Sequence, residues 1–292
     1  MRKLHVIVNP IAGGKNKEPL AQQIAAHRLA QLYEVSLSYT EARYHATQLA
    51  QKALDKGADI VAVAGGDGTV NEVAQALVGS SIPLALIPCG SGNGLARHLQ
   101  IPLDVTAALE LIEGGRVKSI DSMRLNDSAC LGVAGMGFDA EVGWSFSEAG
   151  YRGFCAYFFA TLKKLPFYRP VEYQLQIDGI SYTRTAFLIC IANSCQFGSD
   201  AYISPQAQID DGLLDVVILK KFSPFYLPFI AYRLFHGSLH CCKYVEIIRC
   251  KEITLLQPNL KVHMDGEPVF FSQGFQGRVL PSSLKVIAPW AL

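Results

Sequence analysis

No uninterrupted apolar run in this 292-residue chain reaches the roughly 18 to 20 residues that a membrane-spanning helix needs, so the sequence reads as one that does not cross a bilayer. A strong charge of one sign is missing as well. The formal net charge is +1 and only 17% of residues are charged, which argues against a protein that grips nucleic acid mainly through phosphate contacts. No nucleic-acid partner is expected. The eight cysteines (Cys89, Cys130, Cys155, Cys190, Cys195, Cys241, Cys242 and Cys250) form no C-x-x-C pair, and a strand-like run rather than a secretory signal stands first. They are read as reduced thiols of a cytoplasmic protein. Internal repeats and low-complexity tracts are also lacking. With half the residues hydrophobic, the composition excludes long disordered tails.

What is present falls into two grammars. Over residues 1–124, short β-branched runs alternate with helical stretches, as in a parallel sheet wrapped by helices. Strands are expected at Leu4–Val8, Glu34–Tyr39, Ile60–Ala64 and Leu84–Ile87, with helices at Pro19–Tyr33, Tyr44–Lys56, Asn71–Val78, after Asn93, and at Asp104–Glu113. Over residues 125–282 strands and hairpin signals dominate: Val171–Ile177 and Ser181–Ala192 flank Asp178-Gly179. Leu213–Leu219, Tyr244–Arg249, Glu252–Leu256 and Leu260–Met264 follow. The expectation is an α/β domain joined to a C-terminal β-sandwich domain, two domains with a cleft between. The tail 283–292, with a strand at Leu284–Ile287, can pack on either domain.

Three loops at strand ends are rich in glycine: Asn9-Pro10-Ile11-Ala12-Gly13-Gly14-Lys15, Gly65-Gly66-Asp67-Gly68-Thr69, and Pro88-Cys89-Gly90-Ser91-Gly92-Asn93-Gly94. In open α/β sheets such loops lie beyond the carboxyl ends of strands, where ligands bind. Glycine lets backbone N–H groups approach a phosphate, and the helix that follows adds the positive end of its dipole. Thr69 and Ser91 add hydroxyl donors, Asn9 and Asn71 amide donors, and Asp67 can hold Mg2+ directly or through water. Any one loop alone is more simply a turn; three together point to a polyphosphate. None matches the P-loop pattern, and Gly90-Ser91-Gly92-Asn93-Gly94 opens like a dinucleotide fingerprint, but counted from Gly92 its last small residue is replaced by Arg97.

Gly65-Gly66-Asp67-Gly68-Thr69 with Asn71-Glu72, Asn9-Pro10, and Pro88-Cys89-Gly90-Ser91-Gly92-Asn93 together resemble the diacylglycerol kinase catalytic family, which includes bacterial lipid kinases and sphingosine kinases. The resemblance covers the whole chain and implies an NAD kinase-like first domain. It implies an ATP site at Asn9, Pro10, Ile11, Ala12, Gly13, Thr40, Gly65, Gly66, Asp67, Gly68, Thr69, Val70, Asn71, Glu72 and Ser91. It also implies a structural Mg2+ site from the Asp211 carboxylate and the carbonyls of Gln208 and Leu213, where a plain β-turn is the rival reading. Asp265-Gly266-Glu267 resembles the family's catalytic segment, with Asp265 or Glu267 taking the proton of the lipid hydroxyl. Asp178-Gly179 is the same dipeptide in a plain hairpin and serves as an internal comparison. Gly94 stands where many bacterial members carry an acid, a form more like the sphingosine kinase branch. NAD kinases share the Gly-Gly-Asp-Gly core, but their later serine-rich segment is lacking. An NAD kinase and a nucleotide-binding regulator without catalysis are the rival functions.

The resemblance implies a lipid presented at a membrane surface, with peripheral contact at the inner face and a homodimer both compatible. The aromatic stretches Tyr151–Arg169 and Phe222–Phe235 suit a lipid-tail pocket, a surface resting on a bilayer, or core packing. His45 and His98 lie near the loops and read as structural. Trp144 and Trp290 read as packing residues.

Overall fold

The structure, a computed structural model, describes residues 1–14, 18–149, 161 and 164–290. Lys15 and most of the Tyr151–Arg169 stretch lie outside the described residues. Two compact units divide the chain: Met1–Ile120 with Ser282–Leu292, and Asp121–Pro281.

In the first unit, β1 (Arg2–Val8), β2 (Tyr33–Tyr39), β3 (Ile60–Gly65) and β4 (Leu84–Pro88) run parallel in the order β4-β3-β1-β2, and Val286 extends the sheet beside Leu84. β3 and β4 are buried along their whole length because helices cover both faces, which explains their unbroken apolar runs. On one face α1 (Glu18–Ala26), α2 (Leu29–Leu32) and α6 (Val105–Gly114) pack Leu20, Ile24, Leu29, Leu109 and Ile112 onto Leu4, Val6, Ile60 and Ala62. α3 (His45–Asp55) buries Ala46, Ala50 and Ala53, a small-residue stripe at helical spacing, and packs against α4 (Asp67–Leu77). α5 (Gly94–His98) completes the set.

Register sets where the loops emerge. Val8 pairs with both Tyr39 and Ala64, and Gly65 pairs with Pro88, so β1 to β4 end in line. Strand order reverses between β1 and β3, the switch point where open α/β sheets bind ligands. α4 begins at Asp67 rather than at Asn71. Gly68 falls in the first turn, where its missing side chain costs little, and Asp67 there complements the helix dipole.

The second unit is antiparallel. β5 (Arg116–Leu125) enters it, followed by β6 (Ser128–Cys130), β7 (Val133–Gly137), α7 (Phe138–Ala149), β8 (Val171–Ile177), β9 (Ile180–Ala192), β10 (Leu214–Lys220), α8 (Leu227–Phe235), β11 (Val245–Cys250), β12 (Glu252–Leu255), β13 (Leu260–Met264), β14 (Glu267–Phe271) and β15 (Phe275–Ala288), whose residues from Ser282 onward belong to the first unit. β9 is central and pairs with β7, β8 and β10, while β7 also pairs with β13. Its alternate residues serve two cores. Ile189 and Ile191 enter the interior of the β-sandwich with Met136, Leu175, Val216 and Val262, whereas Leu188 and Cys190 face a second cluster with Phe138, Phe187 and Ile230. Burial pushes the thiols of Cys130 and Cys190 far up and that of Cys250 up to about 12. β15 replaces the short expected strand Leu284–Ile287 with a fourteen-residue one.

Candidate active site

At the switch point the glycine loops interlock. A methyl group on Gly90 would lie 2.5 Å from the Gly66 Cα and 2.8 Å from Asn93 Oδ1, so the second and third loops meet backbone to backbone. Gly13, at φ 65°, presses in the same way on the Cys89 carbonyl and draws in the first loop. Asn93, buried and left-handed at φ 51°, accepts from Gly90 N at 2.9 Å and donates to Gly90 O at 2.9 Å. Asp67 Oδ1 accepts the Gly94 N–H at 2.7 Å. Asn9 donates to Thr69 Oγ1 at 2.9 Å while its own Oδ1 accepts from Ile11 N at 3.1 Å. Thr40 closes β2 with its N–H on the Val8 carbonyl, 2.9 Å away.

These bonds gather Asn9, Pro10, Ile11, Ala12, Gly13, Gly65, Gly66, Asp67, Gly68 and Thr69 at the N-terminus of α4. The first N–H groups of that helix have no intrahelical acceptor, and Val70 N is the first to find one, Gly66 O at 3.0 Å. Such donors, with the dipole behind them, fit a polyphosphate. Asp67 is the one carboxylate within the three loops. Ser91 is exposed on the third loop. Two expected residues are engaged elsewhere: Glu72 Oε2 accepts Ala46 N at 3.1 Å and so serves the first turn of α3, and Asn71 Oδ1 accepts from Gln75 at 2.8 Å.

In the second unit, Asp265 and Gly266 form the β13–β14 turn with φ of 48° and 86°, the same left-handed pair as Asp178 and Gly179 at 46° and 81°. The Asp265 carboxylate accepts Leu131 N at 2.8 Å, Gly132 N at 2.8 Å and Val133 N at 3.0 Å. Asp178 is used alike, accepting Lys251 N at 3.0 Å and Glu252 N at 2.9 Å. Glu267, the first residue of β14, is exposed. Beneath the turn, His263 Nε2 and Asp139 Oδ2 form a buried pair at 2.9 Å, with His263 Nδ1 lacking a hydrogen-bond partner. No spacing rule joins residues 124 apart, so the sequence held no sign of this pair.

The expected metal set fits less well. Asp211 Oδ1 accepts Leu213 N at 3.0 Å, and its Oδ2 takes a charge-assisted bond from Arg249, which also lies 3.3 Å from Asp215. A guanidinium already neutralises this carboxylate, so Gln208, Asp211 and Leu213 do not offer a cation a bare anionic ligand. Among the described residues there is no cluster of three His, Cys, Asp or Glu side chains fit for a metal, and no helix long and apolar enough to cross a membrane.

Glycine loops gathered at a helix N-terminus on an α/β unit, followed by an antiparallel sandwich, define the class of kinases built on the NAD-kinase plan. Residues 3–125 match the diacylglycerol kinase catalytic domain and residues 132–288 the YegS C-terminal NAD kinase beta sandwich-like domain. The chain therefore belongs to the diacylglycerol kinase and YegS-like lipid kinase family. It is 29% identical to a diacylglycerol kinase of Mycobacterium tuberculosis over 98% of this chain and 95% of that one. Identity to the diacylglycerol kinase of Bacillus subtilis is 30%, over 76% of this chain and 75% of the relative. A diacylglycerol kinase structure from Bacillus anthracis shares the fold, with a TM-score of 0.76 at 24% identity, covering 99% and 98% of the two chains.

Proposed function

We propose that this protein transfers the γ-phosphate of ATP, in a Mg2+-dependent reaction, to a hydroxyl of a membrane-borne lipid, diacylglycerol or a sphingoid base, with Glu267 as general base. The observation that carries the reading is the contact of Gly66 with Gly90, which joins two loops at the N-terminus of α4 and leaves backbone N–H groups, not side chains, to meet an anion. Bound ATP supplies the phosphoryl group and the ADP leaving group. Asp67 is the loop residue that would hold Mg2+. The lipid oxygen bonds to phosphorus, the bond from phosphorus to the ADP oxygen breaks, and the hydroxyl proton passes to the Glu267 carboxylate.

Between the two acids, the structural part that Asp265 plays in its turn favours Glu267. Three N–H donors hold Asp265, as two hold Asp178 in a hairpin with no proposed chemistry. Asp265 sets the turn, and Glu267 carries the chemistry.

The test is incubation of the full chain with labelled ATP, Mg2+ and separate acceptors: diacylglycerol, a sphingoid base, ceramide and NAD. Label in a lipid, and its loss in Glu267→Gln, is the expected result. Label in NAD alone, or in nothing, overturns the proposal.

A further inference from the structure

α8 departs from the pattern of a surface helix. Its inner face is ordinary: Ile230 is buried and Leu234 packs on the second core cluster of its unit. The outer face should then be polar. Instead Phe225, in the 3-10 turn Pro224–Tyr226 that leads into the helix, is 92% exposed, Phe229 is 48% exposed and Tyr232 is 57% exposed. Phe229 and Tyr232, three residues apart, share one stripe of the helix, and exposed Phe225 precedes them in the turn.

The stripe is anchored and bordered by positive charge. Tyr226 packs edge-on against Tyr244 at 5.2 Å, and Phe222 links Tyr244 at 6.2 Å to buried Phe187 at 4.9 Å, so the patch is rooted in the core. The Arg233 guanidinium lies 4.6 Å from the Phe229 ring centre, and the Lys243 ammonium lies 4.9 Å from that of Tyr226 and 5.1 Å from that of Tyr244. From Lys220 through Val245 the chain contains no Asp or Glu.

We propose that this face docks on an anionic lipid bilayer, with Phe225, Phe229 and Tyr232 at the boundary of headgroups and acyl chains and Arg233 and Lys243 on the lipid phosphates. Aromatic rings with a cationic rim are the composition that suits that boundary. A symmetric pair of copies is disfavoured by the same charges, because an isologous contact would set this acid-free patch against itself. The proposal deepens the lipid-kinase reading by naming how a membrane-borne substrate is reached, yet docking is measurable without catalysis.

The test is co-sedimentation of the full chain with vesicles of phosphatidylcholine alone or mixed with phosphatidylglycerol. Binding to the anionic vesicles should exceed binding to the neutral ones by about tenfold and weaken with salt. The triple variant Phe225→Ala, Phe229→Ala, Tyr232→Ala should lower it about tenfold. As a readout that does not depend on the triple variant folding, Phe229→Trp should gain fluorescence that bromine-labelled acyl chains quench, beyond the background of Trp144 and Trp290. Unchanged binding of the folded triple variant, or no added quenching in Phe229→Trp, overturns the proposal. So does a wild-type dimer that the triple variant converts to monomer. Docking without lipid phosphorylation would refute the kinase reading alone; phosphorylation of a short-chain soluble lipid without docking would refute this one alone.

Discussion

Gly132 donates its backbone N–H to the Asp265 carboxylate at 2.8 Å, across 133 residues of sequence, and its neighbours Leu131 and Val133 donate to the same group. The turn that presents Glu267 is thereby tied to the start of β7. Asp265→Asn replaces one acceptor oxygen with an amide that faces N–H donors, and should cost about 2 kcal/mol in urea unfolding. Glu267→Gln, at an exposed position, should cost less stability than Asp265→Asn and lower kcat about a thousandfold. A thousandfold loss in Asp265→Asn without any loss of stability would reverse the assignment.

The Gly66–Gly90 contact makes the third loop sensitive to a single methyl group. In Gly90→Ala the new carbon must displace the Gly66 backbone or the Asn93 amide. Nucleotide affinity, measured by calorimetry, should fall about tenfold or more, because N–H donors at the α4 terminus are misplaced by a fraction of an ångström. The substitution is local to the loops, so most of the protein's stability should remain.

Glu72 separates two readings of the same helix. Its carboxylate holds the Ala46 N–H, and its carbonyl accepts the Thr47 hydroxyl at 2.8 Å. Glu72→Ala should therefore cost about 1 kcal/mol of stability through the lost α3 cap, with the KM for ATP unchanged. A tenfold rise in KM at unchanged stability would return Glu72 to the nucleotide site.

What the sequence could and could not disclose follows the reach of each interaction. β1, β3 and β4 are continuous apolar runs, a pattern local to each strand, and the glycine loops follow directly from their ends. β7 escaped because Gly135 and Gly137 and the small residues around them have little strand preference; register with β9 and β13 makes it a strand. The Asp265 turn was legible, but its donors are backbone groups more than 130 residues away and carry no side-chain signature. Asp178-Gly179, the same dipeptide in a plain hairpin, shares both the conformation and the carboxylate use of the Asp265 turn.

Arg249 predicts the response to metal. With its guanidinium on Asp211 and near Asp215, Mg2+ added without nucleotide should leave the melting temperature of the wild type unchanged. Arg249→Ala leaves two acids uncompensated, so it should melt lower and recover part of the loss when Mg2+ is added. A rise in the wild type on Mg2+ alone would show that the cation displaces Arg249.

Glu246 predicts the response to acid. Hydrogen bonds from Arg184, and then from Lys220 at 2.8 Å, hold its carboxyl down to about 2 despite some burial. A depressed folded value means that the unfolded chain binds the proton first, at about pH 4.3. The stabilisation is complete above that pH and is lost as pH falls from there through about 2. Solvent reaches the group and screens the pair, so about 1 kcal/mol is expected rather than the full electrostatic value. Glu246→Gln should thus be less stable than wild type by about that amount at pH 7, with the two urea midpoints converging toward pH 2. A gap that persists at pH 2 would mean the substitution acts through packing on β11 and not through charge.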